Sequence, residues 1–253
     1  MKQDTQPQLV EVPEKVTKSE KRELIEEREG KTLYHSEKPD LIIQEFKGYT
    51  TEHGEPLLNA PELSALRNEI SSYLFEYIEG FRIPTHFVSK LSPTAMVVKR
   101  TEMIPLTVRV YNSSSGPLMK RFGLKANSSL EFPVIEHYYN AARRGPQWVN
   151  EYHAYAFNLL TPEEYKQINR IASKVNAVLR GLCDRRQLYV ANLQLAFGKY
   201  KEQIVLGDEL SPLTCHFWDV AQKGKPDQDK FLPGQGSAVE AFHELYSRLM
   251  LKV

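Results

Sequence analysis

The stretch LYVANLQLAFGKYKEQIVLGDELSP, Leu188 to Pro212, decides the reading of the fold. Leu188 to Phe197 and Gln203 to Leu206 are rich in strand-forming residues, and GKYKE between them is a hairpin turn. The pair ends in Asp208 and Glu209, yet from Val190 to Gly198 its first strand carries neither acid nor base. Upstream, Thr161-Pro162-Glu163-Glu164 starts a helix: Thr161 caps, Pro162 suits the first turn and Glu164 can reach back to the cap. That helix is expected to run to about Arg186 and to bury Ile168, Ile171, Val175, Leu179 and Leu182. A long helix followed by an antiparallel hairpin is not a βαβ unit. The fold class is α+β.

Working outward, KTLYHS and DLIIQEF read as two strands joined by a turn, and AMVVKR as a third. Pro61 to Glu79 places Leu63, Leu66, Ile70, Tyr73, Leu74 and Ile78 on one helical face. In LTVRVY, Leu106, Val108 and Val110 alternate with Thr107, Arg109 and Tyr111, so one face of that strand is buried. VIEHYYNAA reads as a short helix, and Ser237 to Leu251 as an amphipathic one. Residues 1 to 29 form a charged extension whose first half is expected to be disordered, with KSEKRELIEEREG as a marginal exposed helix. Residues 30 to 100 then make an N-terminal antiparallel sheet lobe and 101 to 253 a larger mixed C-terminal lobe.

Lys+Arg 33 against Asp+Glu 32 leaves no basic excess for nucleic acid. No apolar run reaches membrane-spanning length and the N-terminus has no hydrophobic signal core, so a cytoplasmic protein is expected. Cys183 and Cys215 are expected to be reduced and structural. The seven histidines show no metal-ligand spacing. HYYNAARRGPQW mixes aromatic and basic residues, but on a short helix and turn it packs one side and solvates the other.

GKTLYHSEKPDLIIQEF, RIPTHF, EMIPLTVRVYNSSSG, MKRFG, LAFG, LGDELSP and FWD occur in the order found in SAICAR synthetases, phosphoribosylaminoimidazole-succinocarboxamide synthases. The chain resembles that family from about Leu24 to its C-terminal helix. The resemblance implies two lobes with a nucleotide cleft between them. It also implies a reaction in which ATP activates a carboxylate on an aminoimidazole ribonucleotide and the amine of aspartate displaces phosphate. Such chemistry uses magnesium, which prefers carboxylate and water oxygens. Family members are often oligomeric, so a homo-oligomer is possible.

The resemblance also exposes departures. In the family strand V-D-F-K-L-E-F-G, the residues from the aspartate onward match Asn192 to Gly198, so its aspartate, lysine and glutamate fall on Asn192, Gln194 and Ala196. Asp208 keeps its place as a magnesium contact, but the glutamate that partners it has become a methyl group. The family's G-K-A-K matches Arg28 to Lys31, which sets Glu29 on a lysine while Lys31 survives. V-V-R-N-x-A-A-G-S places the ribonucleotide-binding arginine on Tyr111 and the serine on Pro117; S-P-D-x-x-R-L-W-D places its aspartate on Leu213 and a second arginine on His216. Losing two charge-assisted contacts of about 1.5–3 kcal/mol each costs on the order of a hundred-fold or more in affinity.

The candidate site is therefore Asp208 and Glu209 as catalytic residues, with Asp208 at the metal. Lys31 and Lys99 lie at the nucleotide; Tyr111, Asn112, Ser113, Ser114, Ser115 and His216 form a rebuilt substrate pocket. Apart from the resemblance, Lys31 and Lys99 are ordinary surface lysines, NSSSG is a plain polar loop and His216 a packed cleft histidine. Three functions follow: a divergent family member, repurposed or inactive for the family reaction; a working SAICAR synthetase; or an ATP-dependent amide ligase on another acid and amine. ATP and magnesium are the expected cofactors if the family chemistry is kept, and a nucleotide or other small molecule the expected ligand.

Overall fold

A computed structural model describes residues 22–28, 30–50, 56–58, 61–141, 143, 145–221, 226–232 and 238–251. A five-stranded antiparallel sheet, ordered β1-β2-β3-β7-β6, is built from β1 (Leu24–Arg28), β2 (Lys31–His35), β3 (Leu41–Phe46), β6 (Phe87–Ser92) and β7 (Ala95–Lys99). Two short strands, β4 (Tyr49–Thr50) and β5 (Pro56–Leu58), pair apart from it. Helix α1 (Pro61–Glu79) packs against this sheet.

The second sheet is also antiparallel and runs β10-β9-β8-β11-β12. Its strands are β8 (Glu102–Ser113), β9 (Ser129–Tyr139), β10 (Gln147–Val149), β11 (Leu188–Tyr200) and β12 (Gln203–Gly207). Strand β13 (Cys215–Asp219) also pairs with β11. Helices α2 (Gly116–Phe122) and α3 (Glu151–Ala156) are short; α4 (Pro162–Asp184) and α5 (Ala238–Met250) are the long ones. The α+β class and the two-sheet division agree with the sequence reading. Among the described residues, no helix is long and apolar enough to cross a membrane.

Alternation explains the second sheet. Leu106, Val108 and Val110 on β8, with Leu193, Leu195 and Phe197 on β11, are buried against the stripe of α4 formed by Ile168, Ile171, Val175, Leu179 and Leu182. Each such side chain contributes about 1.5–3 kcal/mol. The opposite face carries the polar members of the same strands. The Thr161 capping box forms as expected, and α4 ends at Asp184. Free Cys183 and Cys215 are both buried.

Two expected helices are strands. VIEHYYNAA lies mostly in β9: Glu136 and Tyr138 face one side, His137 the other, and pairing with β8 and β10 satisfies the backbone. Val134, Ile135 and two tyrosines favour the pleated surface over a helix too short to nucleate. Leu24–Arg28, part of the second expected helix, is the fully exposed edge strand β1, turned onto β2 beside Gly30 at φ 70. With no apolar stripe to bury, a helix there has nothing to offset its nucleation cost, whereas β2 offers an open row of hydrogen bonds. The expected disorder of the first half of the extension lies outside the described residues.

The RIPTHF segment stitches the two sheets together. His86 N donates to Leu206 O at 2.8 Å and Leu206 N to Pro84 O at 2.9 Å, a parallel bridge beside β12. Lys99 N donates to His86 O at 2.7 Å, on the first sheet. One continuous core underlies both. On β11, a Cβ at Gly198 would sit 3.0 Å from Met103 Sδ and Thr101 Cβ and 3.1 Å from Glu102 O. The backbone oxygen cannot move aside. Gly198→Ala is expected to lower stability by about 1–3 kcal/mol in equilibrium urea unfolding; an unchanged midpoint would show that the β8–β11 crossing is looser than described.

Candidate functional site

The same edge of β11 pairs with β13 along Leu188–Leu193 and with β12 along Ala196–Tyr200. The chain that changes over between them, Asp208 to Thr214, therefore opens a break in the sheet beside Gln194, whose N–H donates to Thr214 O at 2.7 Å. Asp208 begins this loop with φ 65, a left-handed conformation that aspartate tolerates better than most residues. Gln44 Nε2 donates to its carbonyl at 3.0 Å, and 36% of its side chain is exposed.

Lys31 reaches from β2 to both carboxylates, pairing with Asp208 Oδ1 and with Glu209 Oε2 at 3.0 Å. Glu209 points inward. Arg67 grips it through two parallel bonds of 2.9 Å, and Ser211 Oγ donates to it as well. Burial alone pushes the Glu209 carboxyl up, but the charges of Lys31 and Arg67 outweigh this and hold it far below the usual carboxylate range. Lys31 is raised: burial opposes its charge, and Asp208 and Glu209 more than compensate. Arg67 also donates to Lys47 O at 2.8 Å and Gly30 O at 3.3 Å and lies over the Phe46 ring. Glu209 is thus a buried strut between the sheets, placed to hold Lys31, while Asp208 faces the opening.

Lys99 donates to Thr85 O at 2.7 Å, near His86. His86 is buried, its Nε2 has no partner among the described residues, and burial pushes its pKa down to about 3, so it is neutral.

Along the open face of the second sheet, side chains stand in rows. Tyr138, Thr107, Ala196 and Gly207 form the row that leads to Asp208; Glu136, Arg109 and Gln194 form the next; Tyr111, Asn192 and His216 the third. Tyr111 OH lies 3.4 Å from Tyr138 OH. Asn192 Nδ2 donates to Ser115 Oγ at 3.2 Å and sits 3.4 Å from His216 Nδ1, while His216 Nε2 is 2.8 Å from Gln228 O. That pattern suits the neutral ring, and burial lowers the His216 pKa.

The expected pocket is only partly assembled. Tyr111, Ser115 and His216 come together around Asn192. Asn112 does not join them: one residue on, it faces α4 and donates to Asn176 Oδ1 at 2.8 Å and Val190 O at 2.9 Å. Ser113 Oγ donates to Ala191 O at 3.3 Å and Ser114 Oγ to Lys125 O. Both hydroxyls are buried and occupied in fixing the loop.

Four residues outside the candidate site read from the sequence matter here: Arg67, Arg109, Arg121 and Glu136. Arg121 pairs with Glu136, and Tyr138 OH donates to the same carboxylate at 2.7 Å. Arg67 had a signal, since it falls between Leu63 and Ile70 on the apolar stripe of α1, where a cation needs a buried partner. Arg109 had one too, in its alternation with the buried valines of β8.

For a magnesium ion the fit is partial. Asp208 is an accessible oxygen donor, but the described residues contain no cluster of three His, Cys, Asp or Glu that could hold a metal. Such a donor set suits an ion bound mainly by nucleotide phosphates and water.

Two antiparallel sheets joined at a break, with Lys31 from the first meeting Asp208 and Glu209 from the second, define a two-lobed α+β protein with its polar site at the junction. Residues 26–247 match the family model described as SAICAR synthetase. A phosphoribosylaminoimidazole-succinocarboxamide synthase of Clostridium perfringens is 35% identical over 90% of this chain and 97% of its own length. The crystal structure of the corresponding synthase from Ehrlichia chaffeensis superposes with a TM-score of 0.82 at 29% identity, covering 90% of this chain and 98% of that one. A SAICAR synthetase in complex with ADP gives 0.82 at 32%, covering 90% and 97%. The chain belongs to the SAICAR synthetase family.

Proposed function

We propose that this chain binds ATP in the cleft between its sheets but has been repurposed away from the family ligation, taking a second ligand less anionic than the carboxyaminoimidazole ribonucleotide. One observation carries this reading: the half-exposed face of β11 beside Asp208 presents Asn192, Gln194 and Ala196, all neutral. Lys31 and Lys99 contact the nucleotide. Asp208 would hold magnesium, whose role when bound is to draw charge from the phosphates. Glu209 positions Lys31 from behind. Tyr111 and His216 offer neutral hydrogen-bonding groups where the family resemblance puts arginines, and Ser115 adds a hydroxyl beside them.

A second reading, a working SAICAR synthetase, is favoured by 35% identity sustained over 90% of the chain and by the retained Lys31–Asp208 pair. Growth separates the two. Expression in a purine-requiring strain without the normal enzyme is expected not to restore growth; full rescue would establish the second reading and end the first. Millimolar ATP with magnesium is expected to raise the unfolding temperature, since occupancy at about 100 Kd stabilises by about 2.7 kcal/mol. The absence of any shift would remove ATP from the proposal.

A further inference from the structure

Arg109 is the cation on the open sheet face whose partner is missing. Its Nε is buried and meets no hydrogen-bond acceptor among the described residues. Glu136, its register neighbour on β9, is taken by Arg121 and Tyr138. Arg67, which is buried, is engaged by Glu209, and the partly buried Arg248 by Asp219. Arg109 lies instead over the Tyr138 ring, 4.5 Å from its centroid, a placement that occupies the flat face of a guanidinium and leaves its N–H edge free.

Its other neighbour is informative. Gln194, directly opposite on β11, matches the family's lysine, and the two side chains share one face. The positive charge that leaves β11 at Gln194 returns one strand away at Arg109. The face is altered in the place and shape of its cation, not stripped of one. The buried, unsatisfied Nε–H of Arg109 costs free energy, which a planar oxyanion accepting from it and from the neighbouring Nη–H in two parallel hydrogen bonds relieves. Because Arg121 already neutralises Glu136, Arg109 contributes a single uncompensated charge. That matches a carboxylate better than a phosphate dianion.

We propose that Arg109, with the Gln194 amide beside it, is a carboxylate-binding site for the second ligand of this protein. The site lies in the row next to Thr107, Ala196 and Gly207, and so next to Asp208. It deepens the reading of a rebuilt acceptor side and rests on it.

The test follows the arginine Nε–Hε signals of the whole chain in proton–nitrogen correlation spectra, with Arg109→Met assigning the one that belongs to Arg109. Sodium 4-imidazolecarboxylate and L-aspartate are titrated separately, against 4-imidazolecarboxamide and inorganic phosphate. Saturable movement of the Arg109 signal with one carboxylate, at least tenfold tighter than with the carboxamide, is expected; which carboxylate acts tells whether the acid or the amine partner is held there. Gln194→Leu should weaken the response threefold or more. Should Arg109→Met not fold, Arg109→Lys assigns the signal. An unmoved signal, equal response to the carboxamide, or tighter binding of phosphate overturns the site. A silent Arg109 beside normal stabilisation by ATP and magnesium sinks this site alone, whereas growth rescue by the wild-type chain sinks the proposed function whatever Arg109 does.

Discussion

Arg67→Met is expected to destabilise the chain by about 3 kcal/mol, the lower part of the range for removing one partner of a buried ion pair. The larger values apply when the surviving charge is left alone. Here Lys31 still faces Glu209 at 3.0 Å, so the carboxylate keeps one cation while losing the two-bond grip of Arg67. The carbonyls of Gly30 and Lys47 lose a donor in the same step. Guanidinium unfolding measures the loss; a change below about 1 kcal/mol would mean that the strut is not what joins α1 to the Asp208 loop. The double variant Arg67→Met/Glu209→Leu should recover much of it, because apolar groups of similar size often replace a buried pair at little cost. Acid provides a second reading. Glu209 is depressed in the folded chain, so its contribution is present above the unfolded value near pH 4.3 and is lost as pH falls below it. The stability gap between wild type and Glu209→Gln should therefore close on acidification from about pH 5 downward. A constant gap would contradict it.

Ala196→Glu, with Gln194→Lys beside it, is expected to tighten magnesium-dependent ATP binding at least about tenfold, or about 1.4 kcal/mol. Ala196 stands opposite Gly207, the residue before Asp208, on the half-exposed face. A carboxylate there joins Asp208 as a second oxygen donor, which a hard cation rewards. Without metal the same change sets like charges together and should lower stability, so added magnesium alone should stabilise the variant more than the wild type. Calorimetric titration of ATP with magnesium and with EDTA checks the first part. Equal affinities under both conditions would show that β11 does not face the nucleotide, and would remove the observation on which the proposed function stands.

The departures read from the sequence and the face seen in the fold do not weigh alike. Asn192, Gln194 and Ala196 share one side of β11 as their spacing requires, and Tyr111 and His216 flank them. The count of lost charges is what changes. Arg109 and Arg121 come to the same face from β8 and α2, so the face is recast and not emptied. Linear matching compares each position with its own counterpart and cannot register a cation that crosses to the neighbouring strand. The serine run shows the same limit in reverse. Three adjacent hydroxyls suggest a cradle, but strand alternation sends their neighbours to opposite sides and Ser113 and Ser114 spend their hydrogen bonds on Ala191 and Lys125.

By itself the sequence determined the α+β class, the long capped helix, the antiparallel hairpin and the family, because periodicity, capping and motif order are local properties carried in consecutive residues. It also placed Asp208 and Lys31 at one site. Only the tertiary structure decided that Glu209 lies inside while Asp208 lies outside, that β9 is a strand, and that Arg67 and Arg109 are the cations to watch. Those outcomes depend on which distant segments meet: a charge is buried, paired or left waiting according to neighbours supplied by other strands, and local patterning carries no record of them.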